Sequence, residues 1–300
     1  MPDLIQPPAP GIYPDVPFRA YLSWDCASRS SLSHMANWRE YTPQDVRYAM
    51  LTDSPDTDAL ALGSALHAAV LEPDKPAWDL GPVNPKTGIT YGRDAKAWAD
   101  YTPENPGLPL LTSEQAEKMD PMVEALRAHP KAAAIFLHAE ARELTIVVNF
   151  DLRAWAERLG EIWTGGEDDH LLIKGRLDLL CPGVGLVADL KTTRSKTEWE
   201  LQKAFALYGY AHQAALYPEL ARLAGHESIA HFAAVFVRSE EPYRAGVFRA
   251  DDTSIRIASQ ELLPAMIEMA RCYRTEEWPG WSDEIQDITL PDWKLRSAGY

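Results

Sequence analysis

Two carboxylates and one ammonium stand where the chain can bring them together. Read as a strand, Ile173-Lys174-Gly175-Arg176-Leu177-Asp178-Leu179-Leu180 places Lys174, Arg176 and Asp178 on one face, with Ile173, Leu177 and Leu179 on the other. In Leu186-Val187-Ala188-Asp189-Leu190-Lys191-Thr192, Asp189 and Lys191 share a face, and Leu186, Ala188 and Leu190 point away. Pro182-Gly183-Val184-Gly185 joins the two runs with hairpin spacing. Carboxylates held close repel unless a cation lies between them. Magnesium prefers such oxygen ligands and keeps waters for reaction. A lysine two residues on can orient or help deprotonate an attacking water and offset charge in the transition state. The chemistry such a group suits is phosphodiester hydrolysis. An isolated Asp-x-Lys is more often a surface pair on a solvated strand, and the second Asp narrows that choice without closing it.

Two helical pairs add polar groups. Gly63 and His67 lie one turn apart in Gly63-Ser64-Ala65-Leu66-His67; the imidazole can ligate metal, although taken alone a core histidine in an alanine-rich helix explains it better. Gln213 and Tyr217 are also at i,i+4, where an amide and a phenol can hold a phosphate or a lysine, or simply pack on a sheet. Glu167-Asp168-Asp169-His170 has metal-ligand residue types but follows Gly165-Gly166 and reads as a solvated turn. Lys86, Arg93 and Lys96 fall in a Pro/Gly-rich stretch that could touch DNA phosphates or be a surface loop. From Lys174 to Lys203 there are six basic and four acidic residues, including Arg194, Lys196 and Lys203 just past the Asp-x-Lys strand. That is a locally basic site on an acidic body.

The elements that must position these groups follow from patterning. A proline-rich stretch over residues 1–20 reads as extended. A short helix opens at Ser30-Ser31-Leu32-Ser33 and ends by Thr42-Pro43. A stronger helix, capped by Asp56, Thr57 or Asp58, carries His67 and ends at Pro73. Residues 73–110 form a long surface excursion whose Trp78, Tyr91, Trp98 and Tyr101 require it to pack down. A helix starts at Thr112-Ser113-Glu114. Then Leu144–Val148 reads as a strand, 151–169 as a hydrophilic connection, and 171–181 and 185–192 as strands. A helix covers 198–222, strands 231–237 and 243–248, a long helix 253–273, and Ile288–Trp293 a last edge strand. The order predicts an α/β fold around a central mixed sheet flanked by helices, with a helical N-terminal annex. The expected division is an extended arm over 1–24 and one domain over 25–300, helical in 25–140 and sheet-based in 141–300.

Composition sets the outer bounds. The chain has 300 residues and a formal charge of −15, and 46% of its residues are hydrophobic. It reads as globular rather than disordered. No run reaches the roughly 20 apolar residues of a membrane span, and the N-terminus lacks the pattern of a signal peptide. Cys26, Cys181 and Cys272 form no CxxC pair, which excludes a zinc ribbon or four-cysteine iron–sulfur cluster and fits a reduced cytoplasmic setting. Acidity argues against non-specific polyanion binding over the whole surface, but not against a local basic channel.

Taken in order, Gly63…His67, Glu143, Gly175-Arg176-Leu177-Asp178, Asp189-Leu190-Lys191-Thr192-Thr193 and Gln213…Tyr217 resemble PD-(D/E)XK nucleases of the RecB-like branch. The Asp-Leu-Lys-Thr-Thr run and the following Tyr-Gly-Tyr-Ala-His-Gln-Ala-Ala-Leu-Tyr look most like phage and prophage exodeoxyribonuclease VIII, the RecE-type exonucleases. Ser31-Leu32-Ser33, Trp278-Pro279-Gly280-Trp281 and Leu290-Pro291-Asp292-Trp293 resemble the borders of that nuclease domain. The likeness spans roughly residues 25–295. It implies a restriction-endonuclease-like core, with His67, Asp178, Asp189 and the Leu190 carbonyl as metal ligands and Lys191 as the catalytic lysine. Gln213 and Tyr217 would complete the site, and Glu143 would be an acidic helper. It further implies magnesium, with manganese able to substitute, and 5′→3′ degradation of linear duplex DNA to 3′ tails. The implied partners are double-stranded DNA ends, contacted by Lys174, Arg176, Arg194, Lys196 and Lys203, and a RecT-type annealing protein. A ring-shaped homo-oligomer is expected, a tetramer before a trimer. An endonuclease or a nuclease of other polarity would use the same residues, and a non-catalytic DNA-binding protein on a decayed nuclease fold is the rival from another class.

Overall fold

Aliphatic and β-branched runs build a mixed sheet, and helices with one apolar face close over both of its sides. The computed structural model describes residues 4–52, 57–167, 169–290 and 292–297. The first part of the chain holds β1 (Gly11–Tyr13), α1 (Phe18–Ser23), β2 (Ala27–Ser28), α2 (Arg29–Ala36), α3 (Pro43–Leu51), α4 (Asp58–Leu71), β3 (Asp79–Leu80), α5 (Lys96–Ala99), β4 (Leu110–Leu111), α6 (Ser113–Ala128) and α7 (Pro130–His138). The second holds β5 (Ala141–Asp151), α8 (Leu152–Leu159), β6 (His170–Cys181), β7 (Leu186–Thr193), α9 (Glu198–Leu207), α10 (Tyr210–Leu223), β8 (His231–Arg238), β9 (Ala245–Arg249), α11 (Asp252–Thr275) and α12 (Asp292–Ser297). Among the described residues, seven strands form the main sheet in the order β1-β5-β6-β7-β8-β9, with β2 paired to β6. β5, β6 and β7 are successively antiparallel, β7 and β8 are parallel across the α9–α10 connection, and β9 returns antiparallel. The mixed sheet and flanking helices are those expected from sequence.

Each face of the sheet has its own core. Ile146, Val148, Ile173 and Leu177 pack with residues of α2, α8, α10 and α11. Leu179, Ala188, Leu190 and Val235 pack with α4, α6 and α7. Leu177 and Leu179 were expected on one face, yet they belong to different cores. The switch occurs at Asp178, opposite Glu143, whose backbone is left-handed at φ 50°. The pairs Arg142–Leu179 and Leu144–Leu177 flank that point. The strands therefore turn over together there, and strict alternation fails. At Gly175 α10 crosses close by: a Cβ would stand 2.5 Å from Leu220 Cδ1.

Other departures have local causes. Pro43 starts α3 rather than merely ending α2, because Thr42 caps it and proline suits a first helical position. Thr57 caps α4, accepting from the Leu60 N–H; the alternative cap Asp56 lies outside the described residues, as does Asp168 of the acidic turn. The connection after residue 151 contains α8, capped by Asp151, with Leu152, Trp155 and Ala156 buried. The helix expected over 198–222 breaks at Gly209, whose φ of 66° begins α10 on a new axis. The excursion over 73–110 is pinned by the β3–β4 pair, by Trp98 Nε1 donating to the Tyr91 carbonyl, and by Arg93 donating to the Leu110 carbonyl. Ile288–Leu290 form no strand. Ile285 and Ile288 are 99% and 98% exposed, so alternation there faces no sheet, and the chain continues to α12. Pro291 lies outside the described residues. Within the stretch expected as an extended arm, β1 edges the sheet on β5 and α1 is helical.

The largest correction concerns Lys174. It was placed on the DNA-facing side, yet it is 5% exposed. Its ammonium donates to the carbonyls of Tyr21 at 2.8 Å, Leu22 at 3.2 Å and Trp24 at 2.6 Å. These carbonyls end α1 and have no intrahelical partner, so the lysine caps them and no phosphate can claim it. Lys174→Met keeps the stem but leaves three carbonyls without their charged donor. It should lower unfolding stability by about 3 kcal/mol in urea titrations; a change within about 0.5 kcal/mol would refute the capping role.

Candidate active site

The sheet opens where its polar residues gather. Ladder pairing between β6 and β7 is held at Leu179–Ala188, Leu180–Val187 and Cys181–Leu186. Beyond it the Asp178 carboxylate, through Oδ2, accepts the Leu190 N–H at 2.8 Å in place of a strand partner. From the α4 side, His67 reaches the same opening. Its Nε2 lies 2.7 Å from the Leu190 carbonyl oxygen, and its Nδ1 lies 3.5 Å from Asp178 and 3.7 Å from Glu143. Ligand atoms of His67, Glu143 and Asp178 all fall within 4.8 Å of one another. At Gly63 an added Cβ would make ordinary contact with Thr192 Oγ1 at 3.6 Å, so close approach of α4 does not depend on that glycine.

Asp189 and Lys191 project from β7 toward α10. Lys191 pairs with Asp189, and the Gln213 amide donates to the other oxygen of the same carboxylate. Asp189 is 1% exposed, and its Oδ2 has the ammonium as ion partner but no aligned hydrogen bond. Arg176 is likewise turned inward. Its Nε donates to Glu143 and its Nη1 to the Val16 carbonyl at 2.6 Å. It therefore holds Glu143 in place and is not free for DNA, which corrects the second of the expected phosphate contacts. Arg194, Lys196 and Lys203 are exposed, Arg194 beside Glu240 at 3.6 Å. Tyr217 is buried in the core against Gly175, close behind the cluster. His170, from the acidic turn, faces Asp169 and stays apart from the site.

Two residues not predicted from sequence line the opening. The Tyr210 ring lies 5.3 Å from Lys191 Nζ, and Arg29 reaches the Tyr208 carbonyl at 3.4 Å. Tyr210 could have been found from Gly209 before it, which forces the turn that aims it. Arg29 has no local signal, because its approach depends on α2 crossing α10.

The electrostatics show what the cluster lacks. Burial, then the nearby Asp189 charge, raise the Asp178 pKa to about 7. Burial opposes an imidazolium at His67, but Asp178 and the Glu143 hydrogen bond outweigh it and raise the pKa to about 9. Burial likewise opposes the Lys191 ammonium, and Asp189 and Asp178 raise its pKa nonetheless. Glu143 is held below its ordinary value against burial by His67 and Arg176. Three carboxylates thus draw protons onto His67 and in part onto Asp178. Oxygen donors, a backbone carbonyl and one imidazole around such a negative volume suit a hard divalent cation.

Residues 31–291 match the model of a family described as a PDDEXK-like domain of unknown function (DUF3799). The crystal structure of a protein from Eubacterium rectale, described as a candidate exonuclease, superimposes with a TM-score of 0.56 at 12% identity, covering 90% of this chain and 92% of that one. The likeness shows a shared fold. SSO0001 is 13% identical over 78% of this chain and 84% of that chain, at a TM-score of 0.27. No curated protein matches the sequence significantly.

A cation can use His67 only as the neutral imidazole, so binding must expel its proton. Below a pKa of about 9 the affinity should rise with pH, by roughly tenfold per unit between pH 7 and 9, and flatten above. Calorimetry in buffers of different ionisation enthalpy should register release of about one proton per ion at pH 7.5. No proton release and a flat pH dependence would remove His67 from the ligand set.

Proposed function

The chain belongs to this PDDEXK-like family, and from that membership we propose a divalent-metal-dependent deoxyribonuclease, within that class a RecE-type exonuclease. It degrades one strand of linear duplex DNA 5′→3′ and leaves 3′ tails for recombination. The observation that carries the reading is the meeting of His67, Glu143, Asp178 and the Leu190 carbonyl beside the Asp189–Lys191 pair. The narrower exonuclease reading draws support from the Asp189–Thr193 and Tyr208–Tyr217 runs and from the fold neighbour described as a candidate exonuclease.

His67, Asp178, Asp189 and the Leu190 carbonyl would hold the cation, with Glu143 at their side. Magnesium is the expected ion, and manganese, which tolerates an imidazole, should substitute. When bound, such an ion polarises the phosphodiester and neutralises charge gathering on it. Lys191 is held charged, so it donates rather than accepts: it orients the attacking water and stabilises the developing negative oxygen. Asp189 fixes the ammonium, and Gln213 fixes Asp189. Arg194, Lys196 and Lys203 are the proposed phosphate contacts of the duplex. A ring of copies, a tetramer before a trimer, would gather these cations into a channel and leave the acidic surface outside. A RecT-type annealing protein would take over the 3′ tail, in the cytoplasm of a host whose phage or prophage encodes the chain.

Purified protein should consume linear duplex in magnesium, spare covalently closed circles, and stop in EDTA. Lys191→Ala should cut turnover by roughly 10²–10⁴-fold while leaving metal affinity nearly intact. Asp189→Ala should lose both. Undiminished cleavage by either variant sinks the site assignment, and rapid nicking of closed circles moves the reading to an endonuclease. Light scattering tests the assembly: a strictly monomeric enzyme that remains processive at moderate salt would contradict the ring.

A further inference from the structure

The floor of the site is deep, since Asp178 is 7% and Asp189 1% exposed. A phosphate within a stacked duplex approaches such a floor poorly. A strand that leaves the stack reaches it more easily, at the cost of uncovering its bases. Beside the opening, α9 follows directly from β7 and contains no buried residue. Trp199, Lys203 and Leu207 recur at i, i+4 and i+8 along one of its faces, and Tyr208 ends it. Trp199 and Tyr208 are each 64% exposed and Leu207 is 77% exposed. The helix spends tryptophan, leucine and tyrosine on solvent, which a helix folded only for stability does not require.

These rings are connected to the site and to positive charge. The rings of Tyr208 and Tyr210 lie 5.9 Å apart, and the Lys191 ammonium lies 5.3 Å from the Tyr210 ring. The Lys203 ammonium sits 4.1 Å over the Trp199 ring, and Arg29 rests on the Tyr208 carbonyl at 3.4 Å. Tyr208 and Tyr210 therefore lead from solvent to Lys191, Trp199 and Lys203 form a second ring-and-cation pair on the outer face of the helix, and Glu198 and Glu200 are confined to its first turn. Trp199 and Tyr208 are nine residues apart, roughly 13 Å along the axis and about half a turn round it, so a strand of a few nucleotides touching both passes round the C-terminal end of the helix.

We propose that the exposed rings of α9, Trp199 on its outer face and Tyr208 at its C-terminal end beside Tyr210, form a stacking platform for unpaired nucleotides of the strand entering or leaving the site. The occupant is single-stranded nucleic acid. Its bases stack on Trp199 and Tyr208, and its phosphates meet Lys203 and Arg29. Stacking on rings with backbone neutralisation by cations is how sequence-neutral single-strand grooves work. The inference rests on the nuclease reading above and adds the form of DNA recognised next to the chemistry.

The test uses the full chain with calcium in place of magnesium, so that binding is read without cleavage. Anisotropy is measured on labelled oligo(dT) and on a labelled blunt hairpin duplex. Trp199→Ser with Tyr208→Ser should weaken oligo(dT) binding about tenfold or more and hairpin binding less than about threefold. Trp199→Phe with Tyr208→Phe should restore oligo(dT) affinity to within about threefold of wild type. Because both positions are exposed, thermal melting should stay unchanged, and a loss of folding in the serine variant leaves the decision to the phenylalanine variant paired with Lys203→Gln. Unchanged oligo(dT) affinity in the serine variant overturns the platform, as does an equal loss on both DNAs. If the serine variant instead dissociates an oligomer at unchanged affinity, the face is a contact between copies and the platform fails. Wild type that cuts linear duplex while the serine variant still binds oligo(dT) rejects the platform alone. Wild type that neither binds nor cuts any DNA rejects the nuclease reading with it.

Discussion

Three carboxylates, those of Glu143, Asp178 and Asp189, share one poorly solvated volume, and a protein can keep them there only by surrounding them with fixed positive charge and N–H groups. Nearly every local feature of the sheet centre answers that demand. Arg176 holds Glu143, Lys191 and Gln213 hold Asp189, and the Leu190 N–H holds Asp178. What remains unbalanced is a proton on His67, which stands where a divalent cation would be better suited. The left-handed backbone at Glu143 and the parting of β6 from β7 belong to the same solution. They let side chains from both sheet faces enter one opening, so that α4 and α10, on opposite sides, supply groups to a single site.

β6 shows how closely stability and chemistry are interleaved. Lys174 caps α1, Arg176 ties Glu143 to the Val16 carbonyl, and Asp178 joins the cluster. These residues stand two apart on one strand, and each has a different partner. The N-terminal segment is thereby fastened to the strand that carries the site, and removing it would strip carbonyl acceptors from one buried cation and one that orients an acid. Two side chains that look like phosphate ligands thus serve to hold the frame.

This division was only partly legible in the sequence. Strand alternation alone could place Asp178, Asp189 and Lys191 on the polar side of a hairpin; His67 and Gln213 joined them only through the resemblance to PD-(D/E)XK nucleases, because each taken alone reads as a packing residue. Most of the succession of strands and helices followed from the same periods, and the mixed sheet from that succession. What could not be read depended on contacts far apart in the chain. Lys174 and Arg176 meet carbonyls 150 residues or more away. The break before α10 rests on Gly209, where a Cβ would lie 2.8 Å from Ser33 Oγ of α2. The switch of sheet face at Asp178 follows from a backbone conformation at Glu143 that no residue type announces. α8 was missed for a simpler reason: two capped turns and three buried side chains are too short a period to stand out from a hydrophilic stretch.

The inward turn of those cations also changes the electrostatic problem. The stretch from Lys174 to Lys203 counts six basic residues, but Lys174, Arg176 and Lys191 are all committed to interior partners. The exposed remainder is Arg194, Lys196 and Lys203, and Arg194 already faces Glu240. Against a chain of −15, three surface cations give one copy little long-range attraction for a polyanion. A nuclease of the proposed kind would therefore have to draw on something that does not scale with surface charge. Short-range contacts would meet that need: a cation shared between the carboxylates and a phosphate, and rings that accept bases whatever the field around them. The proposed ring of copies would meet it differently, by summing small basic patches within one enclosed space while the acidic faces stay in high-dielectric solvent, screened beyond about 8 Å at physiological salt.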